Sequence, residues 1–358
     1  MIDKRSAGRT IKAKKVATWR VGLSIALLLI VPFPDWGMSS SAVVLSEFIS
    51  NSPPTPQDHA STIVQTPAGL VAAWFGGKQE GDPGVNIWLA RHVGTHWTVP
   101  VEAANGVQAV GPRQPCWNPV LFEPRGGPLM LFYKVGPDPA HWWGMVKISK
   151  DNGKHWLSAR RLPDRVIGPV KDKPVQLPDG SIVSPSSEEL GHWRIHFERS
   201  IDDGRTWLLS KPIANPQSIE AIQPTLLSWG KNNLQAIGRT KQNRLFSTRS
   251  KDGGISWSAL KLLNVPNPNS GVDAVMLADG RALLVYNPTQ QGPQSRSKLA
   301  IAISEDGEHW KNVLTLESAS SGEYSYPAVI QTHDGLVHIT YTWKRLKIKH
   351  VVIDPRRL

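Results

Sequence analysis

The stretch Ser250-Lys251-Asp252-Gly253-Gly254-Ile255-Ser256-Trp257 decides how the chain is read. The same Ser-x-Asp-x-Gly-x-x-Trp frame appears from Ser149 to Trp156 (SKDNGKHW) and from Ser200 to Trp207 (SIDDGRTW). Ser304 to Trp310 keeps it with one residue deleted, and Ala90 to Trp97 keeps only the Gly-x-x-Trp end. The closing tryptophans, Trp97, Trp156, Trp207, Trp257 and Trp310, are 59, 51, 50 and 53 residues apart. A repeat of this period, among short apolar runs broken by Gly and Pro, predicts an all-β chain wound as a β-propeller. Within each box the Asp accepts hydrogen bonds from backbone N–H groups of its own turn, and the Gly supplies a positive φ. The Trp is expected to pack under its own hairpin and secure it to the blade. Asp151, Asp202, Asp252 and Asp306 are therefore turn residues and not catalysts.

A second repeat interleaves with the first. Apolar strands flank a tight turn in PVQLPDGSIV (Pro174 to Val183), AVMLADGRALLVY (Ala274 to Tyr286) and AVIQTHDGLVHITY (Ala328 to Tyr341). Related copies lie at Ile63 to Val71, Val120 to Leu131 and Pro224 to Ile237. Asp-Gly between apolar runs is a strong hairpin signal. Six hairpins predict six blades, each a four-stranded antiparallel sheet. No box follows the last hairpin, so its outer strand is expected from the segment around Val43 to Ser50.

Composition narrows the partner. The chain has 358 residues and a formal charge of +12, of which the first 42 residues carry +5. The remaining +7 suits an anionic partner such as an acidic glycan. The basic residues beyond position 42 form no dense run, so nucleic acid is not expected. Residues 1–42 read as a signal peptide or N-terminal membrane anchor: a basic stretch to Arg20, an apolar run from Val21 to Phe33, then small residues. The chain is thus expected to be exported, periplasmic or extracellular, or held in the inner membrane by an uncleaved segment, with residues 43–358 as the propeller. Cys116 is the single cysteine, which excludes an intrachain disulfide and reads as a small buried apolar residue. With no Gly-rich phosphate loop, no paired-cysteine spacing and no His-Glu-x-x-His, neither a cofactor nor a metal is expected; a monomer is.

The start of each inner strand faces the central channel. Those positions hold His59, Trp117-Asn118, Lys171 and Lys173, Glu220 and Gln223, Asn269 and Asp273, and Tyr324 and Tyr326. A polar, aromatic ring of both charges is the kind of concave surface that binds sugars.

Boxes and hairpins of this form resemble the sialidase (neuraminidase) superfamily, the BNR or Asp-box repeat propellers, over residues 43 to 358. The resemblance implies three arginines that grip a substrate carboxylate, a Tyr nucleophile activated by a Glu, and an Asp as acid/base. A carboxylate at the anomeric carbon repels an anionic nucleophile, and a neutral Tyr hydroxyl avoids that. Guanidiniums match a carboxylate with planar, charge-assisted hydrogen bonds. Arg239 then corresponds to the second arginine and Arg296 to the third. The nucleophile lies in SGEYSYPAV, where the motif favours Tyr324 and spacing favours Tyr326. Asp82 is where the acid/base is sought. The pattern departs at His59, which stands in place of the first arginine, and at Gln223, which stands in place of the activating Glu, with Glu220 three residues away. Lys171, Lys173, Asn118 and Asp273 complete the expected lining. The implied activity is an exported, exo-acting glycoside hydrolase on an acidic or sialic-acid-like sugar. A lyase on uronate glycans and a non-catalytic glycan-binding propeller are the alternatives.

Overall fold

The computed structural model describes residues 41–358; the N-terminal segment read as a signal or anchor falls, except for its last two residues, outside them. Among the described residues no helix is long and apolar enough to cross a membrane. Six antiparallel sheets follow one another along the chain. Blade one is built from Gln57–Thr66, Gly69–Gly77, Asn86–Val93 and Val101–Ala104, with the short His96–Trp97 beside it. Blade two uses Cys116–Phe122, Leu129–Val135, Trp143–Ser149 and Arg160–Arg161. Blade three uses Val175–Gln176, Ile182–Glu188, Arg194–Ser200 and Leu208–Leu209. Blade four uses Ala221–Ser228, Leu234–Thr240, Arg244–Ser250 and Lys261–Pro266. Blade five uses Asp273–Met276, Ala282–Tyr286, Lys298–Ser304 and Lys311–Ser318. Blade six takes Tyr324–Gln331, Val337–Trp343 and Lys347–Ile353 from the end of the chain and Val43–Phe48 from its beginning. The fold is a six-bladed β-propeller closed by that borrowed strand.

The hydrophobic core is divided into wedges between blades. Separate clusters join blades one and two, two and three, three and four, four and five, five and six, and six and one. The boxes sit in the turns from third to fourth strand and have one geometry. In three of them the box Gly N–H donates to the box Ser Oγ at 2.8 Å. In the same three, the N–H four residues after the box Asp, in His155, Thr206 and Ser256, donates to that Asp at 2.9 Å. The Thr206 N–H is the main reason the exposed Asp202 carboxyl is pulled down to about 2.

The tryptophans do more than the sequence suggested. They hold their own box turns as expected, Trp257 and Trp310 donating to the Gly254 and Gly307 carbonyls at 3.1 Å, and they also staple neighbouring blades. Trp207 of blade three meets Phe132 of blade two edge-on at 6.2 Å, and Trp257 of blade four stacks on Phe197 of blade three at 3.7 Å. Trp156 and Trp310 likewise pack into the wedges shared with the preceding blade. Trp97 reaches back to blade six, donating to Glu47 on the closing strand at 2.9 Å and packing against His350. Gly307 shows why the box glycine admits no side chain. Its φ is +74°, and a Cβ there would collide with Gln235 of blade four, whose Nε2 donates to the Gly307 carbonyl at 2.8 Å.

Four inner strands carry a bulge at the same place. Pairing slips between His59 and Thr62, Trp117 and Val120, Ile222 and Thr225, and Ser325 and Ala328. Inside each slip a non-glycine residue has positive φ: Ala60 at 52°, Asn118 at 32°, Gln223 at 53° and Tyr326 at 51°. For a tyrosine this costs on the order of 1–3 kcal/mol, which the surrounding sheet must hold in place.

Three residues expected in the pocket are instead structural nodes near the axis. Asp273 of blade five accepts from Lys173 ahead of blade three, from Thr225 of blade four and from the Val329 N–H of blade six. Lys171 is buried, its ammonium spent on Asp172 and on the carbonyls of Val272 and Pro327. A charge fully engaged in this way is not free to meet a substrate.

Three stability results follow from this architecture. Trp207→Ala should cost about 3–5 kcal/mol by chemical denaturation, because it empties the wedge between two blades. Asp273→Asn should cost about 3–5 kcal/mol, because it strands the Lys173 charge. The third concerns acid. His338 on blade six is pulled down to about 4, chiefly by burial and then by His350, which touches it at 3.0 Å and itself bonds Glu47 at 2.9 Å. The unfolded chain binds protons below about 6.5 that the folded His338 refuses, so stability should fall as pH drops from about 6.5 towards 4. The slope from this site is at most about 1.4 kcal/mol per pH unit, and His338→Gln should flatten it in pH-resolved thermal melts.

Candidate functional site

Strand alternation fixes which loops share an end of the ring. Inner strands begin, and second strands run into third strands, at one end; the boxes lie at the other. The box aspartates are thereby separated from His59, Arg239, Arg296 and Tyr326, which all sit at the first end. Arg239 closes the second strand of blade four, Arg296 lies in the loop before the third strand of blade five, and Tyr326 is the bulge residue of blade six.

These side chains converge. Arg239 Nη1 donates to Tyr326 Oη at 3.0 Å. The guanidiniums of Arg239 and Arg296 each stand 5.6 Å from the centre of the Tyr326 ring. Both also reach the Asn269 carbonyl, at 3.4 and 3.3 Å. The His59 ring lies 4.3 Å from that of Tyr326, centre to centre. Lys171 comes to 6.0 Å of the same ring from its buried position. Gly271 gives the room: a Cβ there would lie 2.7 Å from Lys171 and 3.5 Å from Tyr326.

The structure separates the two tyrosines. Tyr326 is turned towards the arginines by its bulge. Tyr324 packs in the wedge between blades five and six and meets Trp343 edge-on at 6.4 Å. Two positions along a regular strand share a face, so the bulge between Ser325 and Ala328 is what sends these rings apart.

Two residues not anticipated from the sequence complete the cluster. Glu323, one position before Tyr324, pairs with Arg296 at 2.9 Å and with Arg345 at 2.7 Å, and accepts from Ser325 Oγ at 2.6 Å. Burial works to raise its carboxyl, but the His59 imidazole in its protonated form, Arg345 and Arg296 overcome it and hold it at about 2. Arg345 also binds Glu80 of blade one at 2.6 Å, and its carbonyl accepts from the Asp58 N–H at 2.9 Å. A third guanidinium therefore stands beside the histidine that replaces the expected first arginine. The available signal was positional, since Arg345 occupies the second-to-third turn of blade six, as Arg296 does in blade five.

His59 is buried, and its imidazole is held well below its ordinary value, first by burial and then by the Arg345 charge, with Glu323 opposing. It is neutral at physiological pH. Its Nδ1 shares a 2.8 Å hydrogen bond with Thr342 Oγ1, and its Nε2 has no protein partner. Gln223 Oε1 and Arg239 Nε are also buried without a protein partner. Buried polar atoms are normally paired, and three such atoms at one end of the channel are suited to a polar ligand.

The remaining expected residues lie further out or elsewhere. Asn118 occupies the equivalent bulge of blade two. Glu220 is on the rim, paired with Lys241 at 2.7 Å and His192 at 3.2 Å, so it is not free to replace the missing base. Asp82 accepts from the Gly84 N–H at 2.7 Å and so shapes its own turn. Glu189, not singled out from the sequence, has a carboxyl raised by burial, against the opposing charges of Arg239 and Lys241. Trp193 lies under Arg239 and Lys241, 5.5 and 4.6 Å from their charges. Among the described residues no group of three or more His, Cys, Asp or Glu is arranged to hold a metal.

Comparison with known proteins agrees with this architecture. Residues 68–339 match the family described as BNR repeat-like domain. Among solved structures, the NanB sialidase of Streptococcus pneumoniae superposes with a TM-score of 0.69 at 12% identity, over 89% of this chain and 71% of that one. The intramolecular trans-sialidase of Ruminococcus gnavus gives 0.70 at 14% identity, over 88% and 99%. A protein of unknown function from Dyadobacter fermentans gives 0.72 at 17% identity, over 87% and 98%. No curated protein matches the sequence. At these identities the structural likeness shows the fold, a sialidase-like propeller, and the family match covers most of the chain: the protein belongs to the BNR repeat-like domain family.

Proposed function

We propose that the protein is a sialidase-like glycoside hydrolase that removes a terminal acidic sugar from a glycan. One observation carries the reading: Arg239 and Arg296, from different blades, approach the Tyr326 ring together, and Arg239 donates to its hydroxyl. Two guanidiniums offer the planar donors a carboxylate requires, and Arg345 adds a third cation nearby. Tyr326 Oη then attacks the anomeric carbon as the glycosidic C–O bond breaks. Its proton goes to His59, whose ring stands 4.3 Å from the tyrosine's and whose Nε2 is unpartnered, with the Glu323 carboxylate offsetting the charge that forms there. The leaving oxygen takes a proton from Glu189, whose half-buried carboxyl is raised and so suited to carry one. Water hydrolyses the tyrosyl–sugar bond in the second step. Asp82, the acid expected from the family pattern, keeps its role as a turn-shaping residue in this scheme.

A second reading has its own support. Gln223 replaces the activating carboxylate, and a neutral histidine rests against the tyrosine. That pair suits a lyase: His59 removes the C5 proton of an arginine-bound uronate, the electrons form a C4–C5 double bond, and the Tyr326 hydroxyl gives its proton to the expelled C4 oxygen. Unsaturated product absorbs at the ultraviolet edge, so a screen on sialosides and uronate polysaccharides separates the two reactions by product.

Whichever substrate turns over, Tyr326→Phe should abolish the reaction while Tyr324→Phe leaves it near wild type. Equal loss in both would overturn the assignment of Tyr326. Arg239→Ala should weaken binding of the acidic sugar by about 1.5–3 kcal/mol, tenfold or more in affinity by calorimetry. An acid that must be protonated makes activity fall as pH rises through its pKa. Glu189→Gln should therefore lose about 10²–10⁴ in rate and erase that alkaline limb, whereas Asp82→Asn should keep it.

A further inference from the structure

The ring carries a groove of about 470 Å³ on the flank between blades three and four. It runs beside Arg194–Ser200, with Trp193 and the Glu188–Arg194 pair at the site end and Lys211 towards the other. The Lys211 N–H donates to Ile255 in the box turn of blade four, which places that end of the groove away from the rim. The walls combine apolar side chains such as Ile213 and Leu260 with Arg165, Arg194 and Lys211, set against the single carboxylate of Glu188. Sugars bind on such surfaces by stacking C–H faces on aromatic and aliphatic groups while charged groups select their substituents.

Trp193 makes the groove continuous with the axial site. Its ring lines the groove and also packs beneath Arg239, the residue that donates to Tyr326. A glycan whose terminal sugar lies against Arg239 would have its next unit leave over Trp193. The excess of cations further along favours units that are themselves anionic.

We propose that this groove binds the continuation of the substrate, so that the preferred ligand is an oligosaccharide with acidic groups on successive sugars. The inference rests on the glycan reading of the axial site, and it adds the length and charge of the chain that the site accepts.

The test measures binding to the full propeller by calorimetry, using N-acetylneuraminic acid and galacturonic acid against their α2,8-linked and α1,4-linked tetramers. The tetramer of the accepted sugar should bind about tenfold or more tighter than its monomer. Arg194→Glu and Lys211→Glu, both at exposed positions, should each remove most of that advantage and leave monomer affinity unchanged. Raising the salt concentration should weaken the tetramer more than the monomer. A monomer that binds while its tetramer binds no better overturns the groove and leaves the axial reading standing. Tetramer affinity left intact by both charge reversals overturns the groove in the same way. Failure of all four sugars to bind removes the axial reading and the groove with it.

Discussion

Ring closure is the constraint on which everything else depends. His59 comes from blade one, Arg239 from blade four, Arg296 from blade five, and Glu323, Tyr326 and Arg345 from blade six. Parts of the chain as far apart in sequence as His59 and Arg345 meet only if the sixth blade docks against the first. Glu47 joins them: it lies on the borrowed strand, accepts from Trp97 of blade one, and bonds His350 of blade six. Around the rest of the ring the box tryptophans repeat that logic, each leaning on the blade before it. The core is thus a circle of wedges, and its stability is shared among interfaces that all must form.

Within that frame the site concentrates positive charge around a strained tyrosine. Arg296 and Arg345 pair with Glu323, Arg345 also with Glu80, and Arg239 bonds the tyrosine itself; the histidine among them stays neutral because burial and nearby cations both oppose its protonation. The backbone conformation of Tyr326 is unfavourable for a side chain with a Cβ, yet it separates this ring from Tyr324 and turns it towards Arg239. The same bulge recurs at Ala60, Asn118 and Gln223, so the propeller uses one backbone device to aim different side chains. Opposite-end placement of the boxes keeps the structural carboxylates away from this chemistry.

The repeats made the fold legible. Box spacing and Asp-Gly hairpins implied six blades, and the missing last box implied a strand borrowed from near Val43. Arg239 and Arg296 were singled out through the family resemblance, which looks for arginines ahead of these boxes; Arg296 lies eight residues before Ser304. Other features were hidden for physical reasons. Alternation along a strand cannot distinguish Tyr324 from Tyr326, because the deciding event is a bulge that breaks the alternation. Lys171, Lys173 and Asp273 looked like pocket residues because their position on the chain is right, but their charges are consumed by contacts between distant blades. Glu323 and Arg345 escaped notice because neither belongs to a box or to one of the hairpins between first and second strands; they become meaningful only when the turns of blade six and the loops of blades one and five share a rim. Trp193 was invisible for the same reason.

The central claim is that Arg239, Arg296 and Tyr326 face one common hollow that receives an acidic sugar. A crystal structure of the Tyr326→Phe variant soaked with the acidic monosaccharide it binds tests this most directly. The account predicts the sugar carboxylate between the guanidiniums of Arg239 and Arg296, with the anomeric carbon turned towards position 326. A sugar bound with its carboxylate away from both arginines, or its reacting carbon facing outward, would contradict it.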